Sequence, residues 1–194
     1  MTIAEPQSSD EIRAAFEDLR DQGLSFWAEF PPEVFAAPIG DAWSPADNVR
    51  HLIKSTLPVT KALKLPKLVL RTLFGPATIG SSSYGELIAR YQGILAGGGK
   101  AGKFAPQSID VPDDLEAWQR KLVSVCRDSV SDLSRAVGSW SEGDLDRYRL
   151  PHPLLGKITL REMLFFSLYH FTHHKGNVIR RMANVELDIT SSTK

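Results

Sequence analysis

The 194-residue chain carries 23 basic and 23 acidic side chains, 42% hydrophobic residues and a single cysteine. Balanced charge removes the net positive field that draws a protein to nucleic acid or to an anionic membrane, and Cys126 alone cannot close an internal disulfide. No apolar run approaches the length of a membrane span, the start has no basic region followed by an apolar one, and a chain this long buries roughly 70% of its unfolded surface; we expect one soluble cytoplasmic domain over 1–194, its core at about 9–186.

Ser8 followed by Glu11 reads as a capping box, and Ile12, Phe16, Leu19, Phe26 and Phe30 recur at helical spacing. A first helix is therefore predicted to run to about Phe30 and stop at Pro31-Pro32. In WSPADNVRHL, Ser44 suits the N-cap, Pro45 the first helical position, and Asp47 completes a box. The second helix thus starts at Ser44 and carries His51 in its second turn. It is predicted to break near Pro58 and to resume through TKALKLPKLVLRTLF with a kink at Pro66.

From Gly75 to Pro112 glycines, prolines and serines accumulate around one short helical candidate, GELIARYQGIL, which reads as an irregular excursion. Leu115, Trp118, Leu122, Val125, Ser129, Leu133 and Val137 then step by three and four, predicting a third long helix. Cys126 lies beside its apolar stripe and reads as packing. The loop GSWSEGDLDRYRLPHPLLGK follows, and Thr159 with Glu162 opens a last helix that passes Met182. Strand-like alternation is nearly absent. Four long helices, with one irregular insertion between the second and third, read as an all-α four-helix bundle.

Chemistry-bearing residues are few. GGGKAGK, Gly97 to Lys103, imitates a phosphate loop, but Phe104 stands where a hydroxyl must hold magnesium and no strand precedes it. More telling is YHFTHHKGN, which holds three of the five histidines on the last helix. His170 and His174, four apart, lie on one face with Cβ atoms about 5–6 Å apart, a spacing suited to two ligands of one ion. A third ligand then comes from another helix, and His51 is the candidate. His173 flanks His170 on the side away from His174. Helical periodicity resists His51, because Val49, Leu52, Ile53 and Leu57 share the opposite face. A polar cleft facing Met163, Ser167, His170, His174 and Asn177 reconciles the two. Spacing alone leaves metal ligands and helix-surface histidines equally open.

Phe171 follows the first histidine where a zincin needs its glutamate, which excludes peptide hydrolysis by that route. Asp47 could orient His51, though capping already explains it. His152, between two prolines, reads as ordinary loop, and Trp43 as a plug at one end of the bundle with access to a pocket.

WSPADNVRHL together with PLLGKITLREMLFFSLYHFTHHKGNVIRR resembles the DinB-like, or YfiT-like, family of damage-inducible bacterial four-helix bundles, which is unrelated to the DNA polymerase of that name. The likeness spans roughly Ile12 to Met182. It implies that the family's three ligands fall on His51, His170 and His174, holding a nickel, zinc or iron-like divalent ion. Relatives that are thiol-dependent transferases and isomerases imply a small-molecule substrate and a low-molecular-weight thiol such as bacillithiol, mycothiol or glutathione. The alternative is a non-catalytic metal- or ligand-binding stress-response bundle. A homodimer is expected from the resemblance and from the last helix, where Leu164, Phe165, Phe166, Leu168, Tyr169 and Phe171 are apolar nearly all round.

Overall fold

The computed structural model describes residues 5–100 and 102–192, and side chains as far as residue 185. Helix α1, Ser9–Asp18, begins with the expected capping box: Ser8 Oγ accepts from Glu11 N–H, and the Glu11 carboxylate accepts from Ser8 N–H. The first long helix is less regular than predicted. It passes through a π turn at Leu19–Gly23, where Leu24 N–H donates to Leu19 C=O, and ends with α2 at Ser25–Ala28. The extra residue in that turn re-phases the helix so that Leu19, Leu24 and Trp27 are all buried. Gly23 permits it, because a Cβ there would meet Leu19 Cδ1 at 2.7 Å. A short α3, Pro32–Ala36, starts on the second of the two prolines, with Pro31 at its N-cap.

Helix α4 spans Pro45–Leu63, with Ser44 Oγ accepting from Asp47 N–H. Only half of the predicted box forms, since the Asp47 carboxylate pairs with Arg50 at 2.8 Å. The predicted break at Pro58 does not occur. Pro58 sits on the exposed side, while Thr56, Val59, Thr60 and Leu63 are buried around it. Burial of that face outweighs the roughly 3 kcal/mol a helical proline costs. The chain breaks instead at Lys64–Pro66, then forms α5, Lys67–Phe74, and α6, Tyr84–Ala96, the helix foreseen inside the excursion. A 3₁₀ turn, Gly102–Phe104, precedes α7, Leu115–Val137.

Helix α8, Glu142–Arg147, leads into an antiparallel hairpin that the sequence reading missed: β1, Arg149–His152, pairs with β2, Gly156–Thr159. Each strand has four residues, too few for alternation to register. Helix α9, Leu160–Ser192, opens with the predicted Thr159–Glu162 box.

The four long helices are α1 with its continuation, α4, α7 and α9, and α4 and α1 each pack against both α7 and α9. Direction follows from the hydrogen bonds that tie their ends. Arg161 reaches Gln7 C=O, so α1 and α9 start together; Trp140 reaches Leu63 C=O, so α4 and α7 end together; Gln119 reaches Trp27 C=O, so α7 opposes α1. Because α4 and α7 are parallel neighbours, the chain must travel back along the 23 residues of α7, about 34 Å, before starting it. That return is the irregular insertion.

The apolar residues of α9 that prompted the expectation of a dimer are packed within one chain. Leu164, Phe165, Phe166, Leu168 and Phe171 are buried and Tyr169 half-buried, so these six residues supply no argument for a second copy.

Candidate metal centre

Helix α4 packs against α3, α7 and α9, and its buried arc is correspondingly wide. Leu52, Val59 and Leu63 form its apolar part, whereas Asn48, His51 and Ser55 share a polar part that meets α9. This geometry corrects the periodicity argument: His51 is 3% exposed, and its partners His170 and His174 are 5% and 7% exposed. A polar face between two helices cannot be distinguished by pattern from a solvated one.

The three histidines converge through their Nε2 atoms. His170 Nε2 lies 3.1 Å from His51 Nε2 and 3.1 Å from His174 Nε2, and the ligand-capable atoms of all three lie within 4.8 Å of one another.

Each ring's opposite nitrogen is fixed from outside. His51 Nδ1 is 2.8 Å from Phe104 C=O, which can only accept. His174 Nδ1 is 2.6 Å from Asn48 Oδ1, and the Asn48 amide is oriented by its own donation to Ser44 C=O at 2.8 Å. His170 Nδ1 faces Ser55 Oγ at 3.4 Å, and that hydroxyl has already given its proton to Leu52 C=O. All three protons therefore sit on Nδ1, and three Nε2 lone pairs face one another. Burial holds the ring pKa values of His170 and His174 well below the usual range, reinforced by the neighbouring histidines. His51 is lowered by burial against the opposing pull of the Phe104 carbonyl. The arrangement rejects a proton and could accept a metal cation.

Phe104 is the residue that disqualified the glycine-rich stretch as a phosphate loop. That stretch ends on α4: besides His51, Lys54 Nζ donates to Ala105 C=O at 3.1 Å and Arg50 to Gln107 C=O at 2.8 Å. Asp47, suggested as a partner of His51, serves this clamp by holding Arg50.

Trp43 lies against the triad, its ring parallel to His174 at 6.2 Å between centroids. Beyond the histidines opens a cavity of about 200 Å³ walled by Val59, Tyr91, Leu95, Leu154, Met163 and Phe166. His152, read from sequence as loop, is buried in this wall with its ring 4.2 Å from Phe166. His173 also lines it but stays out of the triad, its Nε2 bonded to Asn177 at 2.9 Å. Asn48 and Ser55 were legible in principle, lying one turn before and after His51 on its own face. Phe104 and His152 were not, because chain folding alone brings their loops to the site. Cys126 is buried within α7, outside the cavity lining, where burial pushes its thiol up to about 12.

The DinB superfamily is matched over residues 15–178, and the chain belongs to it. No curated protein matches the chain. Among solved structures, the crystal structure of TT2238, described as a four-helix bundle protein, is similar with a TM-score of 0.54 and 17% identity, covering 89% of this chain and 99% of that one. At that identity the likeness speaks for the fold alone. Among the described residues no helix is long and apolar enough to cross a membrane.

Proposed function

We propose that the chain is a divalent-metal-dependent enzyme of the DinB type, with His51, His170 and His174 as ligands of one nickel, zinc or iron-like ion, acting on a small molecule in the adjoining cavity. The observation that carries this reading is the convergence of three Nε2 lone pairs whose protons are all committed elsewhere. Donor chemistry and spacing fit. Nitrogen ligands at about 2.0–2.1 Å from an ion stand roughly 2.9–3.4 Å apart at angles between 90° and tetrahedral, and the two closest Nε2 pairs here are at 3.1 Å.

A divalent ion held by three neutral imidazoles supplies a Lewis acid that lowers the pKa of a water or thiol in its reach. The chain's residues keep the ligand rings neutral and oriented and exclude bulk water with apolar walls. Among the described residues of the lining no serine or threonine hydroxyl and no thiol is free to attack. Ser55, Thr56 and Ser167 each donate to a carbonyl of their own helix, and Cys126 is buried elsewhere. The attacking group in this proposal therefore comes from solution, as water or a low-molecular-weight thiol, which favours a thiol-dependent S-transferase or isomerase.

One observation favours a second reading, a non-catalytic ligand-binding bundle: among the described residues no Asp or Glu lines the cavity to act as general base. Elemental analysis of untagged protein tests the first step, with about one ion per chain expected. Substoichiometric metal after incubation with zinc, nickel and ferrous iron would remove the metalloenzyme reading. Turnover with a panel of thiols and electrophiles separates the enzyme from the binding module.

A further inference from the structure

Two histidines in the cavity wall remain unused by the triad, and the protein treats them in the opposite way. His152 Nδ1 accepts from the backbone N–H groups of Leu154 and Leu155, at 3.2 and 3.0 Å, inside the hairpin that carries it. A nitrogen that accepts two N–H groups carries no proton, so the proton of this ring sits on Nε2. Among the described residues Nε2 has no hydrogen-bond partner, although the residue is buried and lines the cavity. His173 repeats the arrangement with its nitrogens exchanged. Arg180 donates to Asn177 Oδ1, which turns Asn177 Nδ2 toward His173 Nε2 and leaves the His173 proton on Nδ1.

The rest of the lining has the same polarity. Lys100 contributes an ammonium, no carboxylate is present among the described residues, and the hydroxyls of Ser55, Thr56 and Ser167 are spent on helix carbonyls. With an ion on the triad's Nε2 atoms, the lining is left richer in donors than in acceptors, and donors set in apolar walls select for a ligand that brings the acceptor.

We propose that the cavity receives a small molecule with an apolar body and a carboxylate, and that His152 selects it as a fixed hydrogen-bond donor through Nε2–H, with His173 Nδ1–H as a second donor. The inference rests on the cation-site reading in one respect, that an ion takes up the triad end of the cavity; the two donors do not depend on it. His152 is a specificity residue, since its N–H separates a ligand that accepts from one that donates.

Hexanoate, hexanamide and hexylamine share one apolar body and differ in the head group. Calorimetric titration of each into metal-loaded protein is expected to rank hexanoate first, hexanamide second and hexylamine last, and hexanoate should still bind chelated protein through the two donors. His152→Asn keeps an acceptor in reach of the Leu154 and Leu155 N–H groups but has no donor at the Nε2 position. It should weaken hexanoate about 10-fold, the loss of one hydrogen bond to a charged group, and leave hexylamine unchanged. His173→Gln, which can still accept from Asn177, should cost less. Should His152→Asn misfold, the ¹⁵N resonance of His152 Nε2 in wild type gives the same reading, shifting with hexanoate and not with hexylamine. Equal binding of hexylamine, a folded His152→Asn that binds hexanoate like wild type, or binding that vanishes wholly on chelation would overturn the inference. Protein that takes up no metal but binds hexanoate in a His152-dependent way would sink the cation site and leave this inference standing.

Discussion

His170 and His152 line the same cavity, and their surroundings set the two rings to opposite tasks. In the triad every acceptor supplied by the protein meets Nδ1, so Nε2 is left as a lone pair; in the wall pair every donor supplied by the protein meets the ring's acceptor nitrogen, so an N–H is left over. The residue type is the same, and the neighbours decide whether the ring receives a cation or gives a hydrogen bond. Histidine count and spacing therefore say little until the partner of each second nitrogen is known.

Breaking the triad should give the largest effect. His170 touches both other ligands, so His170→Ala is expected to abolish stoichiometric binding of zinc or nickel in a calorimetric titration. Wild type in ion at 1,000 times the Kd should gain about 4 kcal/mol, which for a chain of this size is a melting shift of roughly 10 °C relative to chelated protein. His170→Ala should show no shift. Its metal-free form should lose less stability than burial alone suggests, because one of three opposed lone pairs is gone. A chelator-sensitive melting temperature in His170→Ala would contradict the assignment.

The group that sets a ligand's tautomer comes next. Asn48→Ala removes the acceptor at His174 Nδ1 and should weaken metal binding about 10 to 100-fold, whereas Asn48→Asp keeps an acceptor there and should retain affinity. If the two variants bind alike, Asn48 does no more than pack beneath the ring.

Much of this was legible in the sequence, and the parts that were not share a cause. Capping chemistry is local, so the starts of α1, α4 and α9 could be read from Ser8, Ser44, Thr159 and their partners three residues on. The spacing of His170 and His174 is local too. Pro58 misled because its cost is local while the burial that outweighs it is tertiary. The π turn at Leu19–Gly23 is set by the joint burial of Leu19, Leu24 and Trp27. His51 looked exposed because a polar strip that meets another polar strip has the pattern of one that meets water. The wall role of His152 depends on a hairpin whose strands have four residues each.

Acidification should sharpen the contrast in chelated protein. All five histidines are held below the ordinary value of 6.5, by burial first in every case, with His152 down to about 4. The unfolded chain takes protons as pH falls through 6.5 while the folded chain does not, so the unfolded state binds more protons and stability is lost toward acid. Above about pH 7 the contribution is fully present. Below 6.5 each histidine removes up to about 1.4 kcal/mol per pH unit until its folded pKa is reached. Melting temperatures of chelated protein should be level from pH 7 to 8 and fall steeply from 6.5 to 5, less steeply in His152→Asn. A flat profile across that range would mean that the buried rings titrate as freely as in water.

The smallest expected effect is a null result that completes the comparison. His152→Asn and His173→Gln leave His51, His170 and His174 and the three groups that bond their Nδ1 atoms in place, because neither residue hydrogen-bonds to any of the six. Metal affinity should therefore change by less than about 10-fold, below the range for groups that orient a ligand, and the chelator-dependent melting shift should survive in both. His173 is the more demanding case, since it adjoins His174 in sequence and its ring packs 5.5 Å from it. A bystander at that distance and a ligand differ in what they do to the ion: loss of zinc binding in His173→Gln, with binding kept in His51→Ala, would transfer the third ligand from α4 to α9 and dissolve the distinction between the two sets of rings.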